Sequence, residues 1–266
     1  MQTIKIQCPA KINLDLKIVG KLPNNFHEIE STMQTISLYD YLTISVEDSN
    51  DNEIVINGSN NEIPYDETNL VYKAAKLFFE NSNIKNKKIS IYISKNIPVA
   101  AGLAGGSTDG AGTLYGLNKI FNKPLTYCEI DNLCSKLGSD LNVCLTGGKT
   151  LAKGRGEIVI PLEFEEFNVS LIKPINFGIS AGKAYTKFSW KEDNNNLDGR
   201  ENFKNDLEWA VIEDYPELRY IKQTYPNAVM TGSGSAYYLI DDEFSPQNGY
   251  WMKNNLHSID FGVKEI

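Results

Sequence analysis

Residues 98–114, PVAAGLAGGSTDGAGTL, place a run of glycine and alanine between an expected strand and an expected helix. Before this run, residues 88–94 (KISIYIS) alternate isoleucine with polar residues or tyrosine, which is typical of a strand. After it, Ala111, Leu114 and Leu117 recur at helical spacing. Small residues let a ligand approach the backbone, and the unpaired N–H groups of a helix start attract anions. The stretch therefore predicts a phosphate-binding loop.

An ordinary tight connection, with Ser107 or Thr108 as a plain helix N-cap, is the alternative interpretation. The density of glycine favours the phosphate loop, because each glycine costs conformational entropy on folding. The glycines in question are Gly102, Gly105, Gly106, Gly110 and Gly112. Two better-known nucleotide motifs are excluded. No G-x-G-x-x-G register fits, and Val143 stands where a loop ending in Gly148-Lys149-Thr150 would need glycine.

Composition narrows the class of protein. The 266 residues include 26 Lys and Arg against 34 Asp and Glu, a net charge of −8, so a broad nucleic-acid surface is not expected. The four cysteines show no C-x-x-C spacing, which favours buried free thiols in a reducing compartment. The first residues lack the apolar core of a signal peptide, and no apolar stretch is long enough to span a bilayer. We therefore expect a cytoplasmic protein with no membrane partner.

The chain length predicts two domains. A change in the sequence pattern near residue 160 suggests the division 1–160 and 161–266. Thr126 and Glu129 have the spacing of a capping box, and Gly138 is expected to end that helix. Residues 190–202 are polar and rich in asparagine, which is typical of a loose segment.

Two charged residues are ambiguous from spacing alone. Lys11 lies between Ile12 and Ala10 in an expected strand and is most simply an exposed strand position, although Asn13 and Asp15 share its face. Asp140, in Ser139-Asp140-Leu141, is most simply the N-cap of a short helix.

Three stretches together resemble the motifs of the GHMP small-molecule kinase family, which includes galactokinase, homoserine kinase and mevalonate kinase. They are PAKINLDL at 9–16, PVAAGLAGGSTDGAG at 98–112 and MTGSGSA at 230–236, in the order of that family. The nearest resemblance is to members that phosphorylate a cytidylylated sugar alcohol of the non-mevalonate isoprenoid pathway. The resemblance implies an α+β fold of two domains, the first like domain 2 of ribosomal protein S5 and the second ferredoxin-like.

The resemblance also implies a reaction and its residues. The γ-phosphoryl group of ATP would pass to a hydroxyl of the small-molecule substrate, with Asp140 as catalytic base and Lys11 as its partner. Mg²⁺ would be held chiefly by phosphates and water, because no acidic ligand is evident. Nucleotide-binding positions would be Asn69, Leu70, Lys95, Pro98, Val99, Ala100, Ala101, Gly102, Leu103, Ala104, Gly105, Gly106, Ser107 and Thr108.

The substrate-binding positions implied in the same way are Asn13, Phe26, His27, Ser180 and Tyr185, with the cytosine between Phe26 and Tyr185. Two residues depart from the family pattern. Leu141-Asn142 replaces Val-Pro after the base, and Ala181 replaces Thr after Ser180. A monomer or a homodimer is expected.

Overall fold

Two β-sheets organise the chain in the computed structural model, which describes residues 1–23 and 26–266. Most of the larger, eight-stranded sheet comes from the first part of the chain. Its strands there are β1 (Gln2–Asn13), β2 (Lys17–Lys21), β3 (His27–Asp48), β4 (Glu53–Gly58), β5 (Lys87–Ser94), β6 (Lys149–Lys153) and β7 (Ile158–Pro161). The smaller sheet follows, with β8 (Asn168–Pro174), β9 (Val229–Met230), β10 (Tyr237–Ile240) and β11 (Tyr250–His257). The last strand, β12 (Lys264–Glu265), returns to the larger sheet and pairs antiparallel with β1.

Helices cover the sheets in two groups. The first group is α1 (Leu70–Asn81), α2 (Gly105–Ile120), α3 (Tyr127–Leu137) and α4 (Leu141–Thr146). The second is α5 (Ala181–Asp193), α6 (Asp206–Val211) and α7 (Pro216–Thr224). The predicted capping box is confirmed, because Thr126 and Glu129 bond each other's backbone N–H at the start of α3, and Gly138 follows its end. Within residues 1–23 and 26–266, no helix has both the length and the apolar character needed to cross a bilayer.

Helix α2 lies unusually close to the larger sheet. A Cβ atom added to Gly112 would stand 2.4 Å from Cys8 Sγ, and one added to Gly116 would stand 2.6 Å from Ile44 Cδ1. These glycines are therefore required by packing against β1 and β3. Gly110 similarly faces Leu141, 3.1 Å from the added atom. Packing against neighbouring elements thus accounts for part of the glycine density between residues 102 and 112, at Gly110 and Gly112.

The smaller sheet has the strand order β11–β8–β10–β9, with all neighbours antiparallel. This is the order of a ferredoxin-like β-α-β-β-α-β unit, in which helices α5 to α7 form the first crossover. The second crossover differs, because the described residues 241–249 between β10 and β11 contain no helix. The sheets change between residues 161 and 168, although the return of β12 joins the chain end to the first sheet. The division near residue 160 stays a prediction.

Helix α5 and strand β11 are among the elements that periodicity missed. Helix α5 extends to Asp193, so the prediction of a loose segment from 190 is wrong for its first four residues. Only Ala184 and Phe188 of α5 are buried, and two buried positions make too narrow a stripe to detect. Strand β11 was not predicted because, in YWMKNNLH, Leu256 alone is buried.

Candidate active site

A cavity of about 700 Å³ opens where the two sheets and their helices meet. Its walls come from β1, β3, the start of α2, the start of α4, α5 and the glycine turn after β9. The lining residues used below are Lys11, Asn13, Lys21, Phe26, His27, Gly102, Ala104, Ser107, Ser139, Asp140, Arg155, Ala181, Tyr185, Ser189 and Gly232. The cavity therefore gathers residues from both ends of the chain.

Lys11 and Asp140 meet in this cavity. Lys11 Nζ lies 3.4 Å from Asp140 Oδ2, and the side chains are 2% and 31% exposed, respectively. The interpretation of Lys11 as an exposed strand position is wrong. Asp140 does occupy the N-cap position of α4, but its side chain caps no backbone N–H. Its carboxylate is therefore available both to Lys11 and to a ligand in the cavity.

The glycine-rich loop reaches the same cavity. Helix α2 begins at Gly105, after Ala104 in the left-handed conformation (φ 59°), and no side chain caps it. Ser107 and Thr108 are its third and fourth residues, so the interpretation of either as a plain N-cap is wrong. The first N–H groups of α2 therefore remain unpaired within the helix, and the helix dipole favours an anion beside them.

Gly102 joins the loop to the second glycine turn. It has φ +75°, and a Cβ atom there would stand 2.1 Å from the carbonyl oxygen of Thr231. Thr231 Oγ1 in turn lies 3.2 Å from Gly102 O. Only glycine permits both this conformation and this approach.

A second cavity of about 340 Å³ lies on the other side of the loop. It shares Gly102 and Ala104 with the first, so the loop forms part of the wall of both cavities. Twelve of the predicted nucleotide-binding residues line it: Asn69, Leu70, Lys95, Pro98, Val99, Ala100, Ala101, Gly102, Leu103, Ala104, Gly105 and Gly106. Ser107 lines the larger cavity, whereas Thr108 is fully buried in α2. The nucleotide-binding roles stay predictions.

The ammonium of Lys95 does not point freely into the smaller cavity. It forms ion pairs with Asp40 and, at 2.9 Å, with Asp109. Asp40 Oδ1 also accepts hydrogen bonds from the backbone N–H groups of Asn96 at 2.6 Å and Ile97 at 2.8 Å. Burial raises the pKa of Asp109 to about 7, with the charge of Asp40 adding to the rise and Lys95 opposing it. Lys95 thus holds β3, β5 and α2 together beneath the loop.

Aromatic side chains close the far end of the larger cavity. The His27 and Tyr185 rings stack with centroids 5.0 Å apart, a direct contact that leaves no space for a base between them. His27 Nε2 also lies 2.9 Å from Ser189 Oγ. The guanidinium of Arg155 stands 5.2 Å from the centre of the Phe26 ring. The predicted pair Phe26 and Tyr185 therefore lines one cavity, but His27 already covers one face of Tyr185.

Burial shifts the pKa values of His27 and Tyr185 at this end of the larger cavity. Burial lowers the pKa of His27, and the positive charge of Lys21 lowers it further. Burial also raises the pKa of Tyr185 above its usual value. A neutral imidazole can donate one hydrogen bond and accept another, as reading the edge of a base requires.

Ser180 is separate from the cavity. Its Oγ accepts a hydrogen bond from Lys183 N at 3.3 Å and so caps helix α5, whereas Ala181 lines the cavity wall. Its predicted substrate contact stays a prediction. Asn142 is buried and directed towards α3, where its Nδ2 donates to Asp131 Oδ1 at 2.8 Å. The departure at position 142 therefore stabilises the packing of α3 against α4 and does not line the cavity.

Comparisons with known proteins identify the family of this chain. Residues 69–148, from the start of α1 to the end of α4, match the GHMP kinases N terminal domain. The chain is 38% identical to the 4-diphosphocytidyl-2-C-methyl-D-erythritol kinase of Clostridium perfringens (strain SM101 / Type A), across 93% of this chain and 92% of that protein. The chain belongs to the GHMP kinase family. It is therefore a member of a family of small-molecule kinases, as its three motifs predict.

Two further relatives of this GHMP kinase extend the comparison. The enzyme of the same name from Clostridium tetani (strain Massachusetts / E88) is 39% identical, across 88% of this chain and 90% of that protein. A crystal structure of 4-(cytidine 5'-diphospho)-2C-methyl-D-erythritol kinase superposes with a TM-score of 0.71 at 25% identity, covering 88% and 89% of the two chains. The predicted α+β fold of the family is confirmed.

Sequence reasoning missed several residues of the site. Asp40 and Asp109, which bind Lys95, were not identified, although Asp109 ends the glycine-rich run. Thr231 was quoted only as part of the third motif, without a role. Arg155 lies in Lys153-Gly154-Arg155-Gly156-Glu157, and nothing in that stretch indicates that its side chain covers Phe26.

Proposed function

We propose that this chain transfers the γ-phosphoryl group of ATP to the 2-hydroxyl of 4-diphosphocytidyl-2-C-methyl-D-erythritol. The substrate follows from its relatives' names, and the hydroxyl from the family resemblance. The observation that carries the proposal is the position of the Lys11–Asp140 pair. It lies in a cavity that shares the glycine-rich loop as a wall with a second cavity. ATP would occupy the smaller cavity and the acceptor the larger one, with the triphosphate crossing the loop.

In this arrangement Asp140 accepts the proton of the attacking hydroxyl. The hydroxyl oxygen forms a bond to the γ-phosphorus as the bond between the β–γ bridging oxygen and the γ-phosphorus breaks, and ADP leaves. Asp140 suits this step because its carboxylate is partly exposed to the cavity and caps no helix. Lys11 is almost fully buried beside it and would stabilise the negative charge of the transferred group.

Charge neutralisation comes from the unpaired N–H groups at the start of α2 and from Mg²⁺, which supplies a positive charge at the phosphates. Within the described ranges 1–23 and 26–266, no three His, Cys, Asp or Glu side chains cluster as a metal site. Asp140 is the only carboxylate among the described lining residues of the larger cavity. As the family resemblance implies, Mg²⁺ would be held chiefly by phosphate and water.

The far end of the larger cavity would hold the cytosine. Phe26, His27 and Tyr185 provide ring faces and an imidazole, and stacking of a base is worth about 1–3 kcal/mol. Because His27 and Tyr185 touch each other at 5.0 Å, the base would stack outside this pair or displace His27. We also infer a reducing compartment such as the cytoplasm, supported by four free cysteines.

The test is an ADP-release assay with ATP, Mg²⁺ and the cytidylylated acceptor. Asp140→Asn is expected to lower kcat by about 10²- to 10⁴-fold, the usual contribution of a general base. Asp51→Asn, the same change at an exposed carboxylate, serves as the matched control and should leave kcat unchanged. An unchanged rate in Asp140→Asn would remove Asp140 from the mechanism.

A panel of acceptors tests the substrate separately. Turnover with mevalonate, homoserine or galactose, and none with the cytidylylated alcohol, would show that the acceptor is wrong while the kinase activity stands. ATP binding without ADP release on any acceptor would show a nucleotide-binding protein without catalysis.

A further inference from the structure

Lys11 has a closer partner than Asp140. Its Nζ donates a hydrogen bond to Asn13 Oδ1 at 2.7 Å, compared with 3.4 Å to Asp140 Oδ2. Lys11 and Asn13 are two residues apart on β1, so their side chains lie on one face of the strand. Since an ammonium can only donate, the Asn13 atom that faces it must be the oxygen.

Asn13 is fully buried, and its polar groups all have partners within the protein. Its Nδ2 donates to Ser31 Oγ at 2.8 Å, and its backbone N–H donates to Thr231 Oγ1 at 3.1 Å. Thr231 Oγ1 also lies 3.3 Å from Asn13 Oδ1 and 3.2 Å from Gly102 O, so its single proton serves one of these two acceptors. The Asn13 oxygen already accepts from Lys11 and one Nδ2 hydrogen is bonded to Ser31, so at most one Nδ2 hydrogen is left for a substrate hydroxyl.

Thr231 is itself fixed from the other side. Asn205 Nδ2 donates to the carbonyl oxygens on either side of Thr231, those of Met230 at 2.7 Å and Gly232 at 2.8 Å. Glu208 Oε2 accepts from Met230 N at 3.1 Å. The turn after β9 is thereby held on helix α6, and α6 belongs to the second group of helices. Contacts from both parts of the chain therefore converge on Asn13.

We propose that Asn13 is a positioning residue of the reaction: together with Thr231, it holds the Lys11 ammonium beside Asp140. This inference rests on the proposed phosphoryl transfer and assigns Asn13 a role other than the substrate contact that the family resemblance implies. In this role Asn13 and Thr231 act through the position of Lys11 and not on the transferred group itself.

The chemistry explains why an asparagine suits this position. A lysine side chain has about 2 kcal/mol of rotamer entropy, so an ammonium anchored only by a partly exposed carboxylate would sample several positions. A neutral acceptor fixes the ammonium without cancelling its charge. The charge therefore stays available to the carboxylate of Asp140 and to the transferred phosphoryl group.

The experiment compares Asn13→Ala with the pair Thr231→Val and Thr231→Ser in steady-state kinetics. It uses whichever acceptor the wild-type protein turns over. Asn13→Ala and Thr231→Val are each expected to lower kcat at least about tenfold, because misplacement by 1 Å can cost 10²-fold, with KM for acceptor and ATP within about threefold of wild type. Thr231→Ser keeps the hydroxyl and should retain kcat within about threefold.

Several outcomes would overturn the proposal. A raised acceptor KM with unchanged kcat in Asn13→Ala would show that Asn13 binds substrate. A raised ATP KM in Thr231→Val alone would show that Thr231 acts through Gly102 and the loop. Equal losses of kcat in Thr231→Val and Thr231→Ser would show that the Thr231 hydroxyl is not the group that positions Asn13.

Two controls separate other failures. Thermal unfolding and ATP binding identify a variant that fails to fold, and the remaining variants then decide. Wild-type protein inactive on every acceptor would overturn the proposed function and this inference together. An active wild type with an unaffected Asn13→Ala variant overturns only the inference.

Discussion

Gly112→Ala tests whether the glycines of α2 exist for packing. In an open helix this change would stabilise the protein by about 1 kcal/mol, because alanine has the higher helix propensity. At position 112, however, the new Cβ would lie 2.4 Å from Cys8 Sγ, 3.2 Å from Leu42 Cδ1 and 3.3 Å from Ile6 Cγ2. The first distance is at least about 1 Å shorter than the ~3.5–4.0 Å at which heavy atoms pack.

The side chains around position 112 have little room to move away from the new Cβ. Cys8 is fully buried with a short side chain on β1, so the helix or the strand must move. Overpacking of this kind costs about 1–3 kcal/mol, and the severity of the overlap places the cost near the upper limit. After subtraction of the propensity gain, we expect a net loss of about 2 kcal/mol in the free energy of unfolding.

Urea unfolding measures this loss through the transition midpoint at constant slope. Gly182→Ala is the matched control, because a Cβ there meets nothing within 4 Å, and it should stabilise the protein by about 0.4–1 kcal/mol. Cys8→Ala removes the obstructing sulfur. The double variant Cys8→Ala/Gly112→Ala should therefore be more stable, by at least about 1 kcal/mol, than the sum of the single changes predicts.

The packing account is wrong if Gly112→Ala stabilises the protein as Gly182→Ala does, or if the Cys8 and Gly112 changes are additive. Because Gly112 lies inside the core, KM for ATP should remain unchanged in Gly112→Ala. A raised ATP KM without loss of stability would show that Gly112 contributes to phosphate binding and is not needed for packing.

Three further predictions concern the loop, the buried charges and the thiols. Gly102→Ala forces a side chain to φ +75° and against the Thr231 carbonyl, so kcat/KM for ATP should fall at least about tenfold in steady-state assays. A smaller loss would show that the loop tolerates displacement. The pKa of Asp109 is raised to about 7 in the folded protein, so its contribution to stability is present below about pH 4 and lost as pH rises towards 7. The unfolding free energy of wild type minus that of Asp109→Asn should therefore decrease between pH 4 and 7 and then level off, and a flat difference would contradict the shift. Cys128 is exposed and the other three cysteines are buried, so a thiol reagent should modify one cysteine rapidly in the native protein and all four in urea. Rapid reaction of two or more native thiols would contradict the burial.

Several features could be predicted from neighbouring residues. The strand, glycine run and helix around residues 88–120 are where periodicity expects them, and the capping box of Thr126 and Glu129 forms as spacing predicts. Both depend on interactions within a few residues. The meeting of Lys11 with Asp140 was predicted only through the family resemblance, since residue spacing alone favoured an exposed lysine and a helix cap.

The role of a charged or polar side chain, by contrast, depends on residues that are far away in the sequence. The family resemblance assigns Lys95 to the nucleotide, but Asp40, which is 55 positions away, and Asp109 bind its ammonium beneath the loop. Asn13 likewise finds Thr231, which is 218 positions away. The capping box of α3 joins two residues that are three positions apart, so the sequence alone determines it. Burial, charge pairing and close helix packing depend on which surfaces the fold brings together, and therefore only the tertiary structure settles them.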